Sequence, residues 1–122
     1  QVIPDKFSTV MKIKTKDLQD TVERANLFSG EKDGTSVIRL KTENGYLNIS
    51  SKSDLGKVDE NIFIYAEGEN IEISFNARYI LDVLKVLESE DLTFSLTGPL
   101  SPGVIKSGNH DNYTYLILPL RN

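Results

Sequence analysis

Between Thr9 and Lys14 the apolar Met11 and Ile13 alternate with Lys12 and Lys14, and this period of two predicts a strand. The period then lengthens. Leu18, Val22, Ala25 and Phe28 recur at i, i+4, i+7 and i+10, a narrow helical stripe that predicts a helix over residues 16–28. Thr15 is placed to cap it, and Asp17 and Asp20 suit the positive end of the helix dipole. The stretch SGEKDGTS, residues 29–36, reads as a loop. Residues 36–42 and 46–50 predict a hairpin, because Asn44-Gly45 supplies the positive φ of a tight turn. Another strand is predicted over residues 60–65, with a turn at AEGEN, residues 66–70.

The same order of signals returns in the second half. Residues 70–75 predict a strand, Asn76 caps a helix running to Ser89, and strands follow at 92–96, 103–106 and 113–118. Both halves therefore read β-α-β-β-β. The helices match at an offset of 61, Leu18 with Tyr79 and Val22 with Val83, so the repeat is one of pattern, with slight identity. In the second helix Ile80, Val83, Leu84 and Leu87 form the expected buried stripe, and Arg78, Asp82, Lys85 and Ser89 the opposite face. Arg78 and Asp82 stand at i, i+4, where a solvated ion pair contributes ~0.2–0.5 kcal/mol. Two helices and about eight strands predict an α+β domain, both helices covering one face of mostly antiparallel sheets.

The C-terminal run YTYLILPLRN departs from the polar, frayed character of most chain ends. Tyr115 to Leu118 is long enough for a strand, and Pro119 must stop its pairing. Leu120 and Arg121 then project beyond the sheet. Either that tip is buried, or it belongs to a surface for another molecule.

Composition adds limits. At 122 residues with 39% hydrophobic and 26% charged positions, the chain is expected to form one ordinary globular domain. No apolar run approaches the ~20 residues that span a bilayer, and the N-terminus has no signal-peptide pattern. The absence of an initiator methionine is expected of a processed chain or, better, of a piece cut from a longer protein. Residues 1–60 carry 10 basic and 10 acidic side chains, and residues 61–122 carry 4 and 8, so the net −4 sits in the second half. Tight nucleic-acid binding through bulk charge is therefore disfavoured, and any such contact needs a local face.

Catalytic signals are scarce. The single histidine, His110, lies in SGNHDNY with no oriented nucleophile beside it, and reads as an exposed loop residue. His110 and Asp111 are only an adjacent pair, and without cysteine or HxxxH spacing no metal site or cofactor is expected. Gly30 and Gly34 lack the Lys-Ser/Thr of a phosphate loop. Asp54, Asp59 and Glu60 read as solvated charges or as a polar strand edge that deters aggregation. No enzyme is expected.

Three pieces together, FNARYILDVLKVL, LTFSLTGPLSPGVI and YLILPLRN, resemble the C-terminal, third domain of the bacterial β sliding clamp family, the processivity ring of DNA polymerase III. The resemblance runs from QVIP, similar to the linker entering that domain, to the end of the chain. It implies a DNA-clamp fold of two β-α-β-β-β repeats and a non-enzymatic role in DNA replication. Three such domains form a subunit, and two subunits join head to tail around duplex DNA with the helices lining the hole. The first and second domains are then absent from this chain. A bacterial cytoplasmic, nucleoid-associated location follows from the same resemblance.

The resemblance also implies sites. Polymerases, including the DNA polymerase III alpha subunit, the clamp loader and repair proteins dock linear motifs in an apolar groove. The matching positions here are Pro4, Asn76, Tyr79, Leu100, Leu116, Ile117, Leu118, Pro119, Leu120 and Arg121. Leucines at 118 and 120 stand where the family often has methionines, keeping apolarity with less adaptability, and Asn122 is left outside the groove. Leu27 and Phe28 match apolar positions of the ring-closing homodimer contact, and Asp54 and Glu60 match acidic ones. Lys16, Arg24, Arg78 and Lys85 lie on the helix faces turned towards DNA, where contacts to phosphate are independent of base sequence. Apart from the resemblance, the residues also fit an unrelated α+β peptide- or ligand-binding module, and Leu118 and Leu120 fit a plain core role.

Overall fold

A computed structural model describes residues 6–27, 36–53, 56–108 and 114–120. Pro4, Phe28, Asp54, His110, Asp111 and Arg121 lie outside the described residues. In chain order the elements are β1 (Thr9–Lys14), α1 (Thr15–Leu27), β2 (Val37–Glu43), β3 (Tyr46–Ser53), β4 (Gly56–Phe63), β5 (Tyr65–Gly68) and β6 (Glu72–Asn76). They continue with α2 (Ala77–Val86), β7 (Asp91–Leu96), β8 (Gly103–Ser107) and β9 (Thr114–Ile117).

Alternation places the strands. Thr9, Met11 and Ile13 of β1 turn inward, as do Ile38, Leu40 and Thr42 of β2, while their lysine and arginine neighbours face out. The strands make two antiparallel sheets, one in the order β5-β1-β7-β8-β9 and the other β4-β3-β2-β6. The two repeats are therefore interlocked. β1, from the first repeat, joins β7, β8 and β9 of the second, while β6, from the second, joins β2, β3 and β4 of the first.

The core fills the space between inward sheet faces and helices. Phe75 of β6 meets Phe94 of β7 with ring centroids 5.7 Å apart, so the aromatic pair joins the two sheets. Gly103 makes room for it: a Cβ there would come 2.6 Å from Phe94 Cε1 and 3.2 Å from Phe75 Cζ. Gly103→Ala is expected to lower stability by ~1–3 kcal/mol through overpacking, measured by urea denaturation. An unchanged midpoint would show that the aromatic pair can yield.

The structure corrects several local expectations. Residues 66–68 are not a turn. The chain leaves β4, passes Ile64, whose N–H donates to the Gly45 carbonyl over 3.1 Å, and becomes β5 alongside β1 of the other sheet. All four residues of β5 are exposed, so no alternation could reveal it. Thr15 begins α1 instead of capping it, and its buried Oγ1 has no hydrogen-bond partner among the described residues. α2 stops at Val86, and Leu87 reaches the core in an extended conformation, φ −80° and ψ 128°. Because the helix packs on both α1 and the β6 side, Leu81 is buried and Val83 only partly so. Asn76 does cap α2, its Oδ1 accepting from the Arg78 N–H at 3.0 Å.

Candidate functional site

The tail repeats, in the second half, the crossing that creates β5 in the first. After Ile117 the chain leaves the β9 edge of one sheet, and the Leu120 N–H donates to the Ser74 carbonyl on β6, the edge of the other, over 2.8 Å. Pro119 carries no N–H, so β9 stops pairing and the chain is free to turn. Leu118 is 52% exposed, and Pro119 and Leu120 are partly buried. Beside them lies an open cleft of about 250 Å³ lined by Arg39, Glu72, Ile73, Ser74, Pro99, Leu100 and Leu120. Leu100 is 61% exposed at this rim. α2 packs against both β6 and β9 and presents Tyr79, 54% exposed.

The expected groove positions thus separate into two kinds. Leu100, Leu118 and Tyr79 are exposed and Pro119 and Leu120 partly so, and of these Leu100 and Leu120 line the cleft. Ile117 is not exposed: it stands opposite Gly103, which has no side chain, and turns into the core at 3% exposure. Leu116, on the alternate face opposite Val104, is partly buried. Asn76 is buried and its carbonyl oxygen is committed to the helix cap, so of the two polar tips expected to hold a peptide, Tyr79 is the exposed one. Arg39, Glu72, Ile73 and Ser74 were not legible as liners, because only the β2–β6 register, Arg39 opposite Ser74, brings them there. Pro99 had a signal in its proximity to Leu100 within TGPLSPG.

Two of the charges assigned by resemblance lie side by side. Arg24 and Glu60, placed on two different surfaces, meet each other: Nε and Nη2 donate to the two carboxylate oxygens at 2.8 and 2.7 Å. The reason is geometric, since α1 packs on β4 and the last turn of the helix overlies Glu60. Lys16 pairs with Asp20 one turn on, at 3.1 Å. Arg78 and Lys85 are exposed on α2, and Leu27, 72% exposed, ends α1.

The hydrogen bond from Arg24 holds the Glu60 carboxyl below its ordinary 4.5; partial burial opposes this and the guanidinium charge reinforces it. The same bond raises the Arg24 guanidinium above its ordinary value, so Arg24 stays charged throughout. A carboxyl depressed on folding contributes stability that is complete above 4.5 and is lost as pH falls through its lower folded value. In a double-mutant cycle of Arg24→Gln and Glu60→Gln, coupling measured by urea denaturation is expected at neutral pH and declines as pH falls below 4.5 and the carboxyl takes up its proton. Coupling that persists in acid would contradict an ionic pair.

Among the described residues there is no group of three or more potential metal-ligating side chains, and no helix is long and apolar enough to cross a membrane. Comparison with known proteins gives this arrangement a family. The family described as DNA polymerase III beta subunit, C-terminal domain, matches residues 1–121. A beta sliding clamp of Bacillus subtilis (strain 168) is 37% identical over 123 residues, covering 98% of this chain and 32% of that protein. One from Staphylococcus epidermidis (strain ATCC 12228) is 32% identical, covering 99% and 32%. The solved DNA polymerase sliding clamp from Bacillus subtilis aligns with a TM-score of 0.92 at 36% identity, over 98% of this chain and 32% of that one. A sliding clamp from Pseudomonas aeruginosa, solved bound to griselimycin, aligns with a TM-score of 0.92 at 29% identity, over 99% and 32%. The chain spans 32% of the length of these relatives. With its interlocked repeats reproduced in those structures and its sequence matched from end to end, the chain belongs to the family formed by the C-terminal domain of the DNA polymerase III beta subunit.

Proposed function

We propose that this chain is the third domain of a sliding-clamp protomer, a non-enzymatic processivity factor whose C-terminal cleft docks the linear motifs of its partners. Two protomers join head to tail around duplex DNA, with Leu27 and Phe28 at the closing contact and Asp54 contributing charge there. Lys16, Arg78 and Lys85 supply sequence-independent attraction to phosphates in the bacterial cytoplasm, weak enough to permit sliding. Arg24 and Glu60 act as a pair that fixes the end of α1 against β4, and so hold Leu27 in place. The partners are the DNA polymerase III alpha subunit, other polymerases, the clamp loader and repair proteins.

One observation carries the docking reading. The tail is held open: Leu118 faces solvent while the Leu120–Ser74 bond ties the chain beside the cleft that Leu100 borders. Apolar side chains of a partner entering such a cleft gain about 1.5–3 kcal/mol each when fully buried. The test is fluorescence anisotropy of a labelled peptide bearing a polymerase clamp-binding motif, titrated with the full-length protein and with variants lacking residues 118–122 or carrying Tyr79→Ala. Affinity equal to that of the parent in both variants would overturn the reading.

A further inference from the structure

The outer face of the β4-β3-β2-β6 sheet carries a second concavity, about 460 Å³, that adjoins the apolar cleft. It is lined by residues from all four strands, and Arg39, Glu72 and Ser74 border both spaces. The two are therefore one continuous surface, apolar at Leu100 and Leu120 and polar across the sheet.

The charge of this face is opposite to that of the chain. Its lining includes Arg39, Lys41, Lys52 and Lys57 against Asp59 and Glu72, in a chain whose net charge is −4. Arg39 and Lys41 already have anionic partners, Lys41 pairing with Glu43 at 3.1 Å, whereas Asp59 is held by a neutral amide. Glu72 lies 3.6 Å from Arg39, and Asp59 accepts from Asn48 Nδ2 at 2.6 Å. Lys52 and Lys57 stand directly opposite each other in the β3–β4 ladder, and neither forms an ion pair among the described residues. Like charges in that position repel and weaken a sheet, so the pair has no benefit to the fold itself.

We infer that partner motifs docking in the apolar cleft carry an acidic flank, which crosses the outer sheet face and neutralises Lys52 and Lys57. The inference rests on the docking reading above and names the chemistry of the partner. Distance sets the spacing. From Leu120 the path crosses β6, β2 and β3 to β4, four strand intervals of about 4.8 Å, or roughly 19 Å. An extended peptide covers that in about six residues, and reaches Lys52 on β3 in about four. Arg39, at the junction, is already paired with Glu72, so Lys52 and Lys57 are the cations left for the flank. Acidic residues four to six positions from the apolar anchor are therefore the ones that count.

The experiment compares three labelled peptides sharing one apolar motif, titrated with the full-length protein at low and high salt. One has Glu or Asp at four to six positions before the motif, one has them after it, and the control has Gln and Asn on both sides. One acidic peptide is expected to bind about fivefold more tightly than the control at low salt, with the difference shrinking at high salt. In the Lys52→Gln/Lys57→Gln protein that preference disappears, while the control peptide binds as before. An acid preference untouched by the lysine substitutions, or equal binding of all three peptides, overturns the inference and leaves the cleft intact. Failure of every peptide to bind overturns the docking reading and this inference with it. If mixed-sequence duplex DNA competes with the acidic peptide for the parent protein alone, the face belongs to nucleic acid and the inference falls.

Discussion

Removal of residues 118–122 is expected to weaken binding of the motif peptide at least about 100-fold, which corresponds to ~2.7 kcal/mol. Two leucines carry most of that. Leu118 is half exposed and Leu120 lines the cleft, so each has apolar area left for a partner to cover. Fully covered, the two side chains would contribute about 1.5–3 kcal/mol each, and a discount for the area already buried leaves about 1–2.6 kcal/mol, the larger part of the stated loss. The fold has less at stake. Ile117, the deepest residue of the region, remains, and the one backbone hydrogen bond from the removed described residues is that from Leu120 to Ser74. Its loss costs ~0.5–1.5 kcal/mol, which urea denaturation of the same variant measures. A large fall in affinity with a small fall in stability separates a docking site from a core element. Comparable falls in both would return Leu118 and Leu120 to a structural role.

Phe75→Ala is expected to have the largest effect on stability, a loss of ~3–5 kcal/mol by urea denaturation. Phe75 is fully buried, its ring meets Phe94 across the sheets, and Gly103 is shaped around both. The cavity left by alanine lies between two sheets whose backbone ladders resist collapse, so little of the loss is recovered. Against a typical total of about 5–15 kcal/mol, this brings the domain close to unfolding. The site should suffer too, because Ser74, which anchors the tail, is the adjacent residue of β6. A loss below about 1 kcal/mol would mean that the sheets close over the void.

Where burial imposes a period, the sequence announced it. Met11 and Ile13, or Ile38 and Leu40, alternate because one face of each strand meets the core. Asn76 was legible as a cap because a short polar side chain before an apolar helix has few other uses. What stayed hidden depends on partners distant in sequence. β5 is exposed throughout and exists only because β1 lies beside it. Ile117 and Leu118 look equivalent in the chain, yet Gly103 opposite Ile117 decides which of them turns inward. Arg24 and Glu60 are 36 residues apart, and only the packing of α1 across β4 brings them together. The cleft was legible in its apolar tail and illegible in its β6 wall, for the same reason.

Because each repeat lends its leading strand to the other, neither can finish its own sheet. A chain severed near residue 69 leaves β2, β3 and β4 together on one fragment, with β1 and β5 parted from the rest of their sheet. The other fragment keeps β7, β8 and β9 and holds β6 without a neighbour. Complementation between such fragments must then be reciprocal, both sheets closing in one event. In the unbroken chain the β1–β7 ladder, joining Lys14 to Asp91, forces closure of a loop spanning most of the sequence before either repeat is secure. Folding should accordingly be slow and all-or-none, with no half-domain that survives by itself.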